Sequence, residues 1–133
     1  MHDTVYLPLF VYGTLLSDQP AFDLIADAVE RTAPARAPGL RMVNVGHYPL
    51  AAPGDGEIVG ELHWLRREGY QARLDLLAEY EGPEYTLTQM NVFDLESGQL
   101  IAAWLFLGDP ALAAHLPPIP HGDWRAWVQR PNR

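Results

Sequence analysis

The apolar run Leu9-Phe10-Val11 breaks at once into Tyr12-Gly13-Thr14-Leu15, and this junction constrains the fold more than any other feature of the chain. A strand that stops at a glycine and turns into a helix leaves several backbone N–H groups facing one spot, where a carboxylate or phosphate can sit. The plainer alternative is a tight turn in which Gly13 supplies an unusual backbone angle and nothing more.

Hydrophobic spacing places the remaining elements. Residues 8–12 read as a short buried strand. Ser17 or Asp18 can cap a following helix with Pro20 in its first turn, and Phe22, Ile25 and Val29 recur at helical spacing. Residues 31–37 and 40–45 read as extended segments split by Pro38-Gly39, residues 46–56 as a turn-rich loop, and residues 58–65 as a strand. A second helix is predicted over 68–81, ending at Gly82-Pro83. Residues 85–95 and 99–107 form a hairpin through Glu96-Ser97-Gly98. Trp124 and Trp127 share a helical spacing that packs the tail on the body, with Asp123 as its cap. Two helices among about six strands, without regular alternation, predict an α+β fold with a mixed sheet or barrel. At 133 residues, with no repeat or linker, the chain reads as a single domain over residues 1–133.

Composition excludes several functions. The chain has no cysteine, which removes disulfides, thiolate zinc sites and cysteine nucleophiles. It has no lysine, and so no phosphate loop with its lysine. Ser17 and Ser97 are the only serines, and neither lies in a Gly-x-Ser-x-Gly elbow. His2, His47, His63, His115 and His121 show no familiar ligand spacing, so no metal is expected. A net charge of −8 argues against nucleic acid, whose binding rests on neutralising phosphates. Met1-His2-Asp3-Thr4 carries no basic start, and no apolar stretch approaches the roughly 20 residues that cross a bilayer. A cytoplasmic protein without membrane contact is the expectation.

Glu81 is the candidate for proton chemistry. It lies seven residues after Leu74, with Leu77 and Ala78 between them, so a helix reaching residue 81 turns it toward the core. Partial burial and the negative end of the helix dipole both disfavour a charged carboxylate and raise its pKa, which makes a general base near neutral pH. The alternative is a solvated glutamate at a helix end.

Taken together, these motifs resemble the gamma-glutamylcyclotransferase-like family, whose members carry Tyr-Gly-Ser-Leu after the first strand and a Glu-Gly pair at a later helix end. Tyr12-Gly13-Thr14-Leu15 and Glu81-Gly82 are the counterparts here. Gly46-His47-Tyr48-Pro49, Ile58-Val59-Gly60-Glu61-Leu62, Ala103-Trp104-Leu105-Phe106 and Gly122-Asp123-Trp124 are further echoes, in the family's order. Thr14 replaces the serine but keeps a hydroxyl; Leu77-Ala78 stands where many members have Leu-Asp; Leu87 stands where an arginine is frequent.

The resemblance implies a mixed αβ fold around a small β-barrel, no metal or organic cofactor, and release of 5-oxoproline from a gamma-glutamyl compound. It implies Glu81 as general acid/base, and Gly13, Thr14 and Leu15 as a grip for the substrate's carboxylate or oxyanion. Tyr12 and Tyr85 are pocket-lining candidates that read equally well as core aromatics. The alternative function is a binding module that holds a small carboxylate in the same pocket without turnover. A small barrel with exposed aromatics is compatible with a homodimer, although nothing in the sequence requires one.

Overall fold

The computed structural model describes residues 5–130, so Met1-His2-Asp3-Thr4, with His2, lies outside the described residues. Five strands, β1 (Leu9–Val11), β2 (Val29–Asn44), β3 (Pro49–Leu65), β4 (Tyr85–Asp94) and β5 (Gln99–Gly108), close into a barrel in the order β1-β3-β2-β4-β5. Neighbours run antiparallel except at the seam, where β1 meets β5 in parallel with Leu9 opposite Trp104. Closure removes the unpaired edges that an open five-stranded sheet would expose. Leu9, Phe10, Leu50, Leu62, Val92 and Leu105 are all buried in the core.

The strands are longer than the sequence suggests. Pro38-Gly39 does not split β2; the chain passes through a register shift between Pro38 and Leu40, with Gly39 at φ 78°. Residues 49–56, expected as loop, form the first half of β3. There Leu50, Ala51 and Ala52 are buried and pair with Val43, Met42 and Arg41. Their burial outweighs the turn-prone prolines and glycines around them.

The helix expected near residues 17–29 is absent. Two 3-10 turns, Pro20–Leu24 and Ala26–Ala28, take its place, and Val29 already pairs with Leu65 in the sheet. Phe22 and Ile25 lie three apart, a spacing that suits a three-residue turn as well as an α-helix. Neither proposed cap acts as one: Gln19 occupies that position without a side-chain bond, while Ser17 and Asp18 bond to Glu61 and Arg125.

The predicted second helix is α1 (Tyr70–Glu81), which ends at Gly82 with φ 91°. Only glycine enters that backbone region without strain, so the stop falls directly after Glu81. Two shorter helices follow, α2 (Pro110–Ala113) and α3 (Trp124–Val128). Asp123 caps α3 as expected, accepting from the Ala126 N–H at 3.1 Å. Between α2 and α3 the tail lies along β2, with Asn44 N–H donating to Pro117 and Ile119 N–H donating to Met42. Among the described residues, no helix is long and apolar enough to cross a membrane.

Candidate active site

Tyr70, Leu74 and Leu77 are the buried residues of α1, at intervals of four and three. Glu81 continues that stripe and is carried inward with it, while Ala78, expected on the same stripe, is exposed. Its carboxyl enters a cavity of about 340 Å³, within the range of small-ligand sites. The opposite wall is Tyr12, Gly13, Thr14 and Leu15, so the two features singled out in the sequence meet around one hollow.

The carboxyl of Glu81 accepts no hydrogen bond from any described residue, and burial raises its pKa to about 7. Burial is the cause of the shift. A carboxyl poised there is half-ionised at neutral pH and can both accept and return a proton.

The cradle across the cavity is equally uncommitted. Among the described residues, the N–H groups of Gly13, Thr14 and Leu15 donate to no acceptor; the turn closes only at Leu16, whose N–H reaches the Gly13 carbonyl at 3.1 Å. Gly13 is not required for an unusual angle, since its φ is not positive. It is required for space: a Cβ there would lie 2.6 Å from Cγ of Pro49. The Gly-His-Tyr-Pro segment therefore packs directly behind the cradle.

Tyr12 and Tyr85 also line the cavity, and both are buried. Their hydroxyls are spent on the scaffold. Tyr12 donates to the Phe106 carbonyl at 2.6 Å and accepts from the Ala51 N–H at 3.3 Å, and Tyr85 donates to the Pro49 carbonyl at 2.7 Å. Burial first, then nearby Glu81 for Tyr12 and nearby Tyr12 for Tyr85, holds both phenols neutral. They are core aromatics that also line the cavity. Leu87, at the position where the family often has arginine, is half-buried on β4 and does not line the cavity.

Tyr80, His47 and Tyr48 complete the rim; the sequence reading named His47 and Tyr48 only as part of the Gly46-His47-Tyr48-Pro49 motif and passed over Tyr80. Tyr80 immediately precedes the candidate acid, and that adjacency was the available signal. It also passed over a buried network beneath the cradle. Glu61 on β3, opposite Val11, accepts from Ser17 N–H at 2.8 Å, Ser17 Oγ at 2.9 Å and Arg125 Nη2 at 2.8 Å. Arg125, on α3, also donates through Nε to Asp18 at 2.7 Å. Burial works against the charge on Glu61, but the bonds from Arg125 and Ser17 outweigh it and hold its pKa below the ordinary value. His63, fully buried, reaches toward the Leu15 carbonyl at 3.4 Å, and burial keeps it neutral against the pull of Glu61. A glutamate and a histidine within the apolar strand around Leu62 were the clue to this network.

Among the described residues, no three His, Asp or Glu side chains cluster as metal ligands. The fold and the cavity define a small αβ-barrel protein with a hollow that has an acid on one side and free amides on the other. The chain belongs to the AIG2-like gamma-glutamyl cyclotransferase family, whose model matches residues 9–126. An AIG2-like protein from Mus musculus shares the fold at 23% identity and a TM-score of 0.67, the match covering 96% of this chain and 98% of that one. An uncharacterized protein from Pyrococcus horikoshii matches at 20% identity and a TM-score of 0.67, over 92% of each chain. YkqA from Bacillus subtilis matches at 22% identity and a TM-score of 0.69 over 95% of this chain, which spans only 43% of that protein. A search of curated proteins finds no match.

Proposed function

We propose that this protein is a gamma-glutamylcyclotransferase-type enzyme that releases 5-oxoproline from a gamma-glutamyl amine or gamma-glutamyl amino acid, with Glu81 as general acid/base. The observation that carries the reading is the pairing across one cavity of an unbonded, half-ionised carboxyl with three unpaired backbone N–H groups. Such groups are costly to leave unmet inside a protein, and a compact zwitterionic guest meets both.

A gamma-glutamyl group carries its own nucleophile, the α-amine. Glu81 takes a proton from the α-ammonium, and the freed amine attacks the side-chain carbonyl to form the ring N–C bond. The carbonyl oxygen becomes an oxyanion, and Glu81 returns its proton to the leaving nitrogen as the oxyanion collapses and the bond to that nitrogen breaks. Glu81 then takes the second proton from the ring nitrogen and passes it to the released amine, giving a neutral lactam and an ammonium. The N–H groups of Gly13, Thr14 and Leu15 are donors for the α-carboxylate and for the oxyanion. Because the attack is intramolecular, holding the substrate folded supplies much of the rate: well-oriented reactions reach effective molarities on the order of 10⁵ M or more.

The reading requires no cofactor and no nucleic acid, and it includes a cytoplasmic location and a homodimer as the assembly to test by scattering. Its central test is 5-oxoproline release from a panel of gamma-glutamyl amides by wild type and by Glu81→Gln. Turnover by wild type with at least a hundredfold loss in the variant is expected. Equal turnover by both would falsify the role of Glu81. Binding of a small acid with no turnover by either would favour a non-catalytic carboxylate-binding module.

A further inference from the structure

Beside the cavity runs a second hollow of about 620 Å³, and the two share Thr14, His47 and Tyr80 as a common wall. Its far side is built from two elements remote from Glu81 in sequence. The 3-10 turn supplies Pro20, Ala21 and Leu24, and α3 supplies Trp124 and Val128. Trp124 is buried in the wall of this groove, while Val128 stands exposed at the rim.

The charges around the two hollows are one-sided. Glu81 and Asp23 are acids, and among the described residues His47 is the only lining side chain able to carry a positive charge. Among the described residues no arginine lines either hollow, and the chain has no lysine. Arg125, next to Trp124 in sequence, is committed to Asp18 and Glu61.

We propose that this groove is the leaving-group subsite, and that it selects apolar amines without a carboxylate through Leu24, Trp124 and Val128. The inference rests on the cyclisation reading above. The acyl half of the substrate fills the cavity, and its leaving nitrogen must come within proton-transfer reach of Glu81. The substituent on that nitrogen then has a continuous way out past the shared wall into the groove. An amino acid leaving group carries its carboxylate on the carbon next to that nitrogen. It would be desolvated near Glu81 with no guanidinium to pair with, a placement that proteins avoid. An aryl or branched alkyl body instead covers the side chains of Leu24 and Val128, apolar surface otherwise left to water, against the wall that buried Trp124 supports.

Three substrates separate the terms: gamma-glutamyl-phenethylamide, gamma-glutamyl-phenylalanine, which differs only by the carboxylate, and gamma-glutamyl-methylamide, which lacks the apolar body. For wild type, kcat/KM for the phenethylamide is expected to exceed each of the others at least tenfold. Val128→Arg, at an exposed position, and Leu24→Arg each place a guanidinium in the groove. Each is expected to lower the phenethylamide-to-phenylalanine ratio at least fivefold, and thermal melts identify which variants fold. Equal kcat/KM for all three substrates, or a ratio unmoved in a folded variant, overturns the subsite while leaving cyclisation standing. No 5-oxoproline from any of the three overturns the cyclisation reading and this inference with it.

Discussion

The Thr14 hydroxyl lies 2.9 Å from the phenol oxygen of Tyr80, joining the cradle to the last turn of α1 across 66 residues of sequence. The pair stands on the wall between the cavity and the groove, one residue from Glu81. It ties the residue preceding Glu81 to the cradle. Thr14→Ser keeps the hydroxyl and is expected to retain near wild-type kcat/KM. Thr14→Val is expected to lose roughly three- to tenfold, the worth of about one hydrogen bond. The double variant Thr14→Val with Tyr80→Phe should be no worse than the more damaging single change. Additive losses in that cycle would show that the two side chains act separately.

Glu81 carries a stability cost that its replacement should reveal. Its folded pKa of about 7 lies above its ordinary value of 4.5, so the folded state binds the proton more tightly than the unfolded state does. Stability is therefore lost as pH rises through that window and stays lost above it. Glu81→Gln is expected to be more stable than wild type at pH 8 by roughly 2 kcal/mol, with no gain at pH 4. Thermal melts of both proteins across that range are the check, and identical pH dependence would remove the buried-acid interpretation.

The same pKa sets the activity profile. The base form starts the reaction, so kcat/KM should climb about tenfold per pH unit below 7 and flatten above it. A profile that is flat from pH 5 to pH 8 would exclude Glu81 as the titrating group.

Gly13 is a packing glycine, and that makes its replacement repairable. Gly13→Ala drives a Cβ against Pro49 at 2.6 Å and is expected to cost about 1–3 kcal/mol while displacing the cradle. Adding Pro49→Ala removes the obstructing ring and should restore part of both stability and activity. A strained backbone angle at residue 13 would not be relieved in that way, so failure of the second change would reinstate it.

Arg125 ties the C-terminal helix to the loop behind the cradle. Arg125→Gln leaves Glu61, 11% exposed at its side chain, without its guanidinium and is expected to destabilise by about 1–3 kcal/mol at neutral pH. The paired carboxylate titrates below its ordinary value, so its stabilising contribution is full at neutral pH and is lost as pH falls. The gap between variant and wild type should therefore close in acid. Arg125→Lys should recover little, because Nε serves Asp18 while Nη2 serves Glu61, a geometry a single ammonium does not reproduce.

Local chemistry in the sequence determined where α1 ends and that Glu81 faces inward: Leu74 and Leu77 set the stripe, and Gly82 sets the stop. It also determined the break after β1, the hairpin at Glu96-Ser97-Gly98 and the cap at Asp123. These are short-range effects of spacing and backbone freedom, readable within a dozen residues.

Only the tertiary structure decided that Pro38-Gly39 bends a strand without breaking it, and that the chain after Pro20 turns as 3-10 rather than α. At Pro38-Gly39 the pairing with β3 holds the strand, and after the 3-10 turns Val29 enters the sheet opposite Leu65; local sequence shows neither partner. The network of Glu61, Ser17 and Arg125 and the shared wall of Thr14 and Tyr80 have the same origin. Their members lie 44 to 108 residues apart, and the closed fold is what brings them together.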